Sequence, residues 1–338
     1  MPQQRRPRKL TIAVTGPTGT FGHGLVPLLQ RSARVGRIVG IARRPLDPAA
    51  LGWTKMEYRR GDVRDRDTLA EAFAGADAVA HLAFAIYGNA SRETLEAINI
   101  DGTMNAFGAA ADAGVRRFVY ASSVAAYGSH SDNPMGITED WPARGSKRMF
   151  YSREKATIER RLHGAAAAHP EVELTLFRPP IVVGPHTTGG AEEVVPRPLR
   201  PIAHGVAGLV GKLPVALPAV PVPQPVQFVH EDDVGQAFVK ALLGGPAGTY
   251  NLSGDGYLSG ADVMRELGFR PLPVPARATR AAASALVRLP RRPAAFDWAE
   301  AATHPLIVDS SKAKRELGWK PKYSSLEALR DAVRSEAA

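Results

Sequence analysis

Three glycines, Gly16, Gly19 and Gly22, separate a short apolar run, Leu10-Thr-Ile-Ala-Val14, from an amphipathic stretch at 20–32. No other feature constrains the fold as tightly. A glycine pattern alone says little, but a strand before it and a helix after it supply the required context. Each glycine meets a separate physical need. Gly16 makes a tight turn, Gly19 lets backbone N–H groups approach a pyrophosphate, and Gly22 lets the helix pack on the strand. The helix N-terminus adds a positive dipole for the phosphates. Thr18, Thr20 and Phe21 lie in the same turn and are expected beside a bound dinucleotide.

Beyond the turn, apolar runs alternate with helical stretches. Strands are expected at 10–15, 37–42, 56–60, 77–82, 116–121 and 172–177, and helices at 20–32, 65–74, 92–113 and 149–168. This alternation marks an α/β chain, a Rossmann-type doubly wound parallel sheet. From about 179 the character changes, and Pro179-Pro180, Gly184-Pro185 and Gly189-Gly190 break regular elements. Residues 214–225 carry five prolines, so they read as an extended ordered loop and not a central strand. A helix at 232–243, capped by Asp232 or Asp233, precedes helices at 258–267 and 311–317. Residues 271–300, rich in Pro, Ala and Arg, give no clear element. The expected organisation is a dinucleotide-binding domain at 10–180, to which 226–245 returns. A smaller C-terminal substrate-binding lobe takes 181–225 and 246–325, and 1–9 form a basic tail.

Composition narrows the function. The 338 residues, 44% of them apolar, hold one large domain or two ordinary ones. No apolar run reaches the ~18 residues of a membrane span, and the basic N-terminus leads into the glycine turn without a signal sequence. There is no cysteine, which excludes disulfides, thiol nucleophiles and thiolate metal sites and matches a reducing cytoplasm. The nine histidines show no metal-ligand spacing, so no metal is expected. The net charge of +10 is carried by scattered arginines without interleaved aromatics. That reads as a solvated basic surface and not a nucleic-acid track.

Three further stretches carry chemistry. Ile38-Val-Gly-Ile-Ala42 ends in Arg43-Arg44, where an NAD site usually places a carboxylate for the ribose 2′-hydroxyl. Guanidinium groups suit a 2′-phosphate, so NADP(H) is expected in preference to NAD(H). Gly61-Asp62-Val63 follows the third strand, and two readings of Asp62 stand: an acceptor for the adenine amine, or a loop aspartate capping the next helix. Tyr151 and Lys155, four residues apart, share a helix face. Free tyrosine, with a pKa near 10, is a poor base, and a cationic neighbour favours its phenolate. Tyr151 is then the general acid or base at a substrate oxygen, and Lys155 also reaches the nicotinamide ribose.

These motifs, with His81-Leu82-Ala83, Asn99-x-Asp-Gly-Thr103, Tyr120-Ala-Ser-Ser-x-x-x-Tyr-Gly128, Arg178-Pro-x-x-Val-x-Gly-Pro185 and Phe228-Val-His-Glu-Asp-Asp233, are in order along the chain. Over about residues 10–325 the chain resembles the extended short-chain dehydrogenase/reductases, the NAD-dependent epimerase/dehydratase family. The resemblance implies that His81, Leu82 and Ala83 line the cofactor, that Asp62 and neighbouring Val63 meet the adenine, and that the backbone from Pro179 through Ile181 to Val182 meets the nicotinamide amide. It makes Ser123 the catalytic serine, polarising a carbonyl, and Ser122 structural. Asn99 is a weaker candidate near the site. Members of the family often form homodimers through helices matching 92–113 and 149–168. Nucleotide-sugar members usually carry an arginine where this chain has Val226, which points to a less charged, lipophilic small-molecule substrate.

Three activities follow in order of preference. The first is an NADP-dependent oxidoreductase for a ketone, aldehyde or alcohol. The second is an epimerase or dehydratase that recycles its bound cofactor. The third is a non-catalytic NADP-binding regulator.

Overall fold

The computed structural model describes residues 8–86, 91–146, 148–187, 216–288, 300 and 303–337. Its centre is a sheet of seven strands, every one paired in parallel. In chain order the first six are β1 (Leu10–Thr15), β2 (Val35–Ala42), β3 (Met56–Arg60), β4 (Ala78–His81), β5 (Arg117–Ala121) and β6 (Glu173–Arg178). Then come β7 (Ile181–Val183), β8 (Pro218–Ala219), β9 (Phe228–His230), β10 (Gly248–Asn251) and β11 (Arg270–Pro271). The large sheet runs β10-β6-β5-β4-β1-β2-β3, while β7–β9 and β8–β11 form two short parallel pairs. Each expected strand lies within two residues of an observed one.

Parallel strands are buried on both faces, so alternate side chains feed two cores. Ile12, Val14 and Ile38 join one cluster, in which Leu25, Val26 and Leu29 of α1 (Thr20–Arg31) are packed. Ala13, Val39 and Ile41 join the other, with residues of α2 (Arg66–Phe73), α4 (Gly102–Asp112) and α5 (Phe150–Ala168). Short α3 (Arg92–Glu96) reaches α4 through a π turn, Ala97–Asp101, so the helix expected at 92–113 is interrupted. The helix α6 (Glu231–Leu242) returns to the first face, where Val234, Ala237 and Phe238 enter the same core as α1. Glycines permit the close approach of α1 and α6. A Cβ on Gly24 would stand 2.2 Å from the Glu231 carbonyl oxygen, and one on Gly235 would stand 2.1 Å from that of Gly24.

One cap differs from expectation, and another closes one of the two readings of Asp62. α6 is capped by His230, whose Nδ1 accepts from the Asp232 N–H at 3.1 Å. Asp233 instead accepts from the backbone N–H groups of Lys322 (2.8 Å) and Tyr323 (3.1 Å). Asp65, not Asp62, caps α2, accepting from Asp67 and Thr68 N–H. The remaining helices among the described residues are α7 (Gly260–Glu266), α8 (Ala276–Arg288), α9 (Ser311–Glu316) and α10 (Ser325–Ala337). α8 occupies part of the stretch that gave no element in sequence. Of the Pro-rich segment, 216–225 are described, and β8 within it pairs with β11. A small third core gathers Val183, Phe228, Leu258, Val263, Ala328 and Leu329.

Candidate active site

Because every pairing in the sheet is parallel, the carboxyl ends of the strands share one edge. The order β6-β5-β4-β1-β2-β3 therefore lays out, along that edge, Pro179, Ser123, Ala83, Gly16, Arg43 and Asp62. Strand order reverses direction at β1, between β4 and β2, and ligands bind open α/β sheets at such a switch point. The glycine turn thus sits mid-edge, with the arginines and Asp62 to one side and the serine to the other.

The turn has a shape a dinucleotide fits. Gly16 has φ +69°, and a Cβ there would meet the Ala83 nitrogen at 2.9 Å. A Cβ on Gly22 would stand 2.1 Å from the Pro17 carbonyl oxygen. Gly19 differs: among the described residues the nearest atom to its virtual Cβ is 3.8 Å away, so their packing does not demand a glycine there. Gly19 is exposed and is the N-cap of α1, whose first turn has no acidic residue. Open space before unshielded helix N–H groups suits a phosphate. Thr18, Thr20 and Phe21 are partly buried around it. Thr20 Oγ1 donates to the His186 carbonyl, and Phe21 packs edge-on against Phe238. Ala83 N–H donates to Thr15 Oγ1 and Leu82 N–H to the Thr15 carbonyl, tying the β4 loop to the turn.

On the β2 side Arg43 and Arg44 are exposed. Their backbone is held from β3: Arg60 Nε donates to the Arg43 carbonyl at 3.1 Å, and Tyr58 Oη to the Ala42 and Arg44 carbonyls. Asp62 accepts from Arg64 at its backbone N–H (3.0 Å) and from its guanidinium (3.0 and 2.8 Å). The Arg64 guanidinium, aided by the charge of Arg43, holds the Asp62 carboxyl below its ordinary pKa. Val63 is buried against Gly102.

On the other side, Ser123 caps a 3-10 turn, Val124–Tyr127, its Oγ accepting from the Ala125 N–H at 3.2 Å. Two ties bring that turn to its neighbours. Val124 N–H donates to the Pro179 carbonyl at 3.0 Å, and Ser152 Oγ of α5 donates to the Ala125 carbonyl at 2.6 Å. Tyr151, next to Ser152, and Lys155 one turn on are thereby set beside the serine segment. Lys155 Nζ is 5.7 Å from the Tyr151 ring centroid. Lys155 is 3% exposed, and burial lowers its pKa to about 7, against the raising charges of Glu159 and Glu154. Ser122 Oγ donates to Glu159, which also receives Arg178 Nε at 3.0 Å. Ile181 is exposed at the start of β7.

His81 does not line the site, contrary to the resemblance. It has no exposed surface and is locked between Thr15 Oγ1 (2.8 Å from Nδ1) and Thr103 Oγ1 (3.1 Å from Nε2). Asn99, on the π turn, accepts from the Ala85 N–H at 2.7 Å and donates to the Ala85 carbonyl at 2.8 Å and to Glu154 at 2.7 Å. Sequence reasoning missed two aromatic neighbours of Lys155. Tyr120 Oη accepts from Nζ at 3.0 Å, and Nζ lies 3.8 Å from the Phe84 ring centroid. Phe84 directly follows His-Leu-Ala, a stretch already picked out, and Tyr120 opens the Tyr-Ala-Ser-Ser motif itself, so both places were marked although their contact with the lysine was not.

A glycine turn at β1, a serine beyond β5 and a Tyr/Lys pair on α5, gathered at one sheet edge, define the class of nicotinamide-dependent enzymes that move hydride at an oxygen-bearing carbon. Residues 12–253 match the model of the NAD dependent epimerase/dehydratase family. The chain belongs to that family, an extended branch of the short-chain dehydrogenase/reductases. It is 30% identical to sterol demethylase protein B of Methylococcus capsulatus, over 96% of this chain and 97% of that protein. Among solved structures it is similar to UDP-glucose 4-epimerase of Thermotoga maritima, with TM-score 0.73, 20% identity, and 97% and 99% of the two chains covered. WbmG of Bordetella bronchiseptica, solved with NAD, gives TM-score 0.70 and 22% identity over 99% and 96%. At such identities these two show the fold. Among the described residues, no helix is long and apolar enough to cross a membrane, and no group of three or more acidic or histidine side chains is placed to hold a metal ion.

Proposed function

We propose that this enzyme is an NADP-dependent oxidoreductase that interconverts a carbonyl and an alcohol on a small lipophilic substrate. The convergence of Ser123, Tyr151 and Lys155 at the carboxyl end of β5, on the same sheet edge as the glycine turn, carries the reading. The bound nicotinamide supplies the hydride chemistry. Ser123 Oγ donates a hydrogen bond to the substrate oxygen and polarises it. Tyr151 Oη gives that oxygen its proton in reduction and removes it in oxidation. The Lys155 ammonium supplies positive charge beside the phenol; its donors turn inward to the Ala121 carbonyl and Tyr120 Oη and not outward to a ribose. Gly16, Gly19, Gly22 and the backbone of Thr18, Thr20 and Phe21 receive the pyrophosphate. Leu82 and Ala83 form the middle of the cradle, Pro179 and Ile181 its nicotinamide end, and Asp62 and Val63 its adenine end. Arg43 and Arg44 grip the 2′-phosphate.

Two observations favour a lipophilic substrate. Val226, at the place of the nucleotide-sugar arginine, pairs through its backbone with Leu258 (2.8 and 2.9 Å) and packs into the apolar core of the lobe. The name of the Methylococcus relative also points to a sterol. The family's other chemistry, epimerisation or dehydration with a recycled cofactor, is the second reading, favoured by the match to the family model.

The test combines a panel of ring-bearing ketones and aldehydes with absorbance of the reduced nicotinamide. Net loss of NADPH supports the oxidoreductase; product without net loss supports recycling. Tyr151→Phe should keep NADPH binding and lose about 100-fold or more in turnover; near-normal turnover removes Tyr151 from its role. Arg43→Ala with Arg44→Ala should weaken NADPH by about tenfold or more and NADH little. Equal weakening argues against 2′-phosphate recognition.

A further inference from the structure

An ammonium has three N–H donors and little tolerance for burial without partners. Lys155 spends two of them inside the protein. Nζ donates to the Ala121 carbonyl at 2.7 Å and to Tyr120 Oη at 3.0 Å. The third side of the charge is covered by the Phe84 ring, 3.8 Å from Nζ to centroid. An ammonium at that distance from an aromatic face is attracted by the ring quadrupole. Tyr120 is 1% exposed, on β5 one residue before Ala121 and three before Ser123, so one strand end holds both the serine and the acceptors of the lysine.

Both partners accept from Nζ here, the Ala121 carbonyl and the Tyr120 hydroxyl. Acceptors placed on an ammonium favour the charged form over the neutral amine. Phe84 is held too: Asn99 accepts from the N–H and donates to the carbonyl of the next residue, Ala85. The Phe84 and Tyr151 rings also stand nearly perpendicular, with centroids 5.4 Å apart. The titratable groups facing Lys155 are Tyr151, Glu154 and Glu159 on α5, Tyr120 on β5 and His81 on β4.

We propose that Tyr120 and Phe84 are positioning residues that, with the Ala121 carbonyl, form a box fixing the Lys155 ammonium beside Tyr151 and stabilising its charge. The proposal rests on the assignment of Lys155 to the catalytic pair, but its test needs no turnover. Protein carrying lysine labelled with 13C at Cε is titrated by NMR without substrate, and the Lys155 signal is assigned by its loss in Lys155→Arg. Tyr120→Phe keeps the ring and removes the acceptor, and should move the Lys155 midpoint down by about one pH unit. Phe84→Leu removes the aromatic face and should move it the same way. Tyr127→Phe is the control, because that buried hydroxyl bonds Asn251 and not Lys155, and the midpoint should stay in place. A midpoint unmoved in either box variant overturns the proposal. If Tyr120→Phe does not fold, Phe84→Leu still decides. Once a substrate is known, the alkaline limb of the turnover profile should shift down with the NMR midpoint.

Discussion

His81 shows how far a single residue can depart from what its neighbours imply. Its place at the end of β4, before Leu82 and Ala83, points to the cofactor. Its side chain instead bridges Thr15 and Thr103 across the sheet–helix boundary. A neutral imidazole bonds at both nitrogens, so a buried hydroxyl on each side satisfies it. Burial, with the charge of Lys155, holds its pKa at about 3, down from 6.5. The unfolded chain therefore takes this proton below about 6.5 and the folded chain not until about 3. Its contribution to stability is full above 6.5 and lost as pH falls across that window. His81→Gln should cost about 1–2 kcal/mol at pH 7, through lost hydrogen bonding. It should also flatten the decline of urea midpoint with acid. An unchanged slope between pH 6.5 and 4 would show that another group drives the decline.

At the scale of elements, the glycine turn separates two demands that look alike in sequence. Gly22 answers to packing, since a methyl there collides with the Pro17 backbone. Gly19 is under no such demand among the described residues, since the nearest atom to its virtual Cβ is 3.8 Å away. Gly22→Ala should therefore destabilise the fold by about 2–4 kcal/mol, read from thermal or urea unfolding. Gly19→Ala should leave stability within about 0.5 kcal/mol yet weaken NADPH by tenfold or more, read by fluorescence titration. Full-strength cofactor binding by Gly19→Ala would mean the phosphates lie elsewhere. The π turn at Ala97–Asp101 is another element-scale device. It places Asn99 where it can clasp the Ala85 peptide and reach Glu154. Such turns often mark functional sites, but the composition of 92–113 reads as plain helix, because Ala, Ile and Met suit either winding.

Across the whole molecule, α6 joins the sheet to the C-terminal segments. Its inner face packs on α1, and Asp233 at its first turn holds the backbone of Lys322 and Tyr323 while its carbonyl accepts from Trp319 Nε1 at 2.8 Å. Trp319 is fully buried in the core that α1 shares. Asp233→Ala orphans two backbone donors and should lower unfolding stability by about 2–4 kcal/mol. Asp232→Ala, one residue earlier and only partly buried, should change it by less than about 0.5 kcal/mol. Equal effects would mean that helix-dipole charge, and not the staple, is what α6 supplies.

Local pattern determined a great deal. Buried parallel strands read as apolar runs, helices as periodic ones, and a glycine turn between them fixes where a dinucleotide can lie, because these signals depend on neighbours a few residues apart. The family and the α/β sheet were legible that way, as was the candidate set of Ser123, Tyr151 and Lys155. Tertiary structure decided which side chains close around them. The hydroxyl of Tyr120 and the ring of Phe84 reach Lys155 from 35 and 71 residues away in the chain. His81 turns inward because two threonines wait there, and Asp233 caps nothing because backbone from beyond residue 320 claims it. These choices are settled by the competition of buried polar groups for partners, and partners distant in sequence carry no local signature.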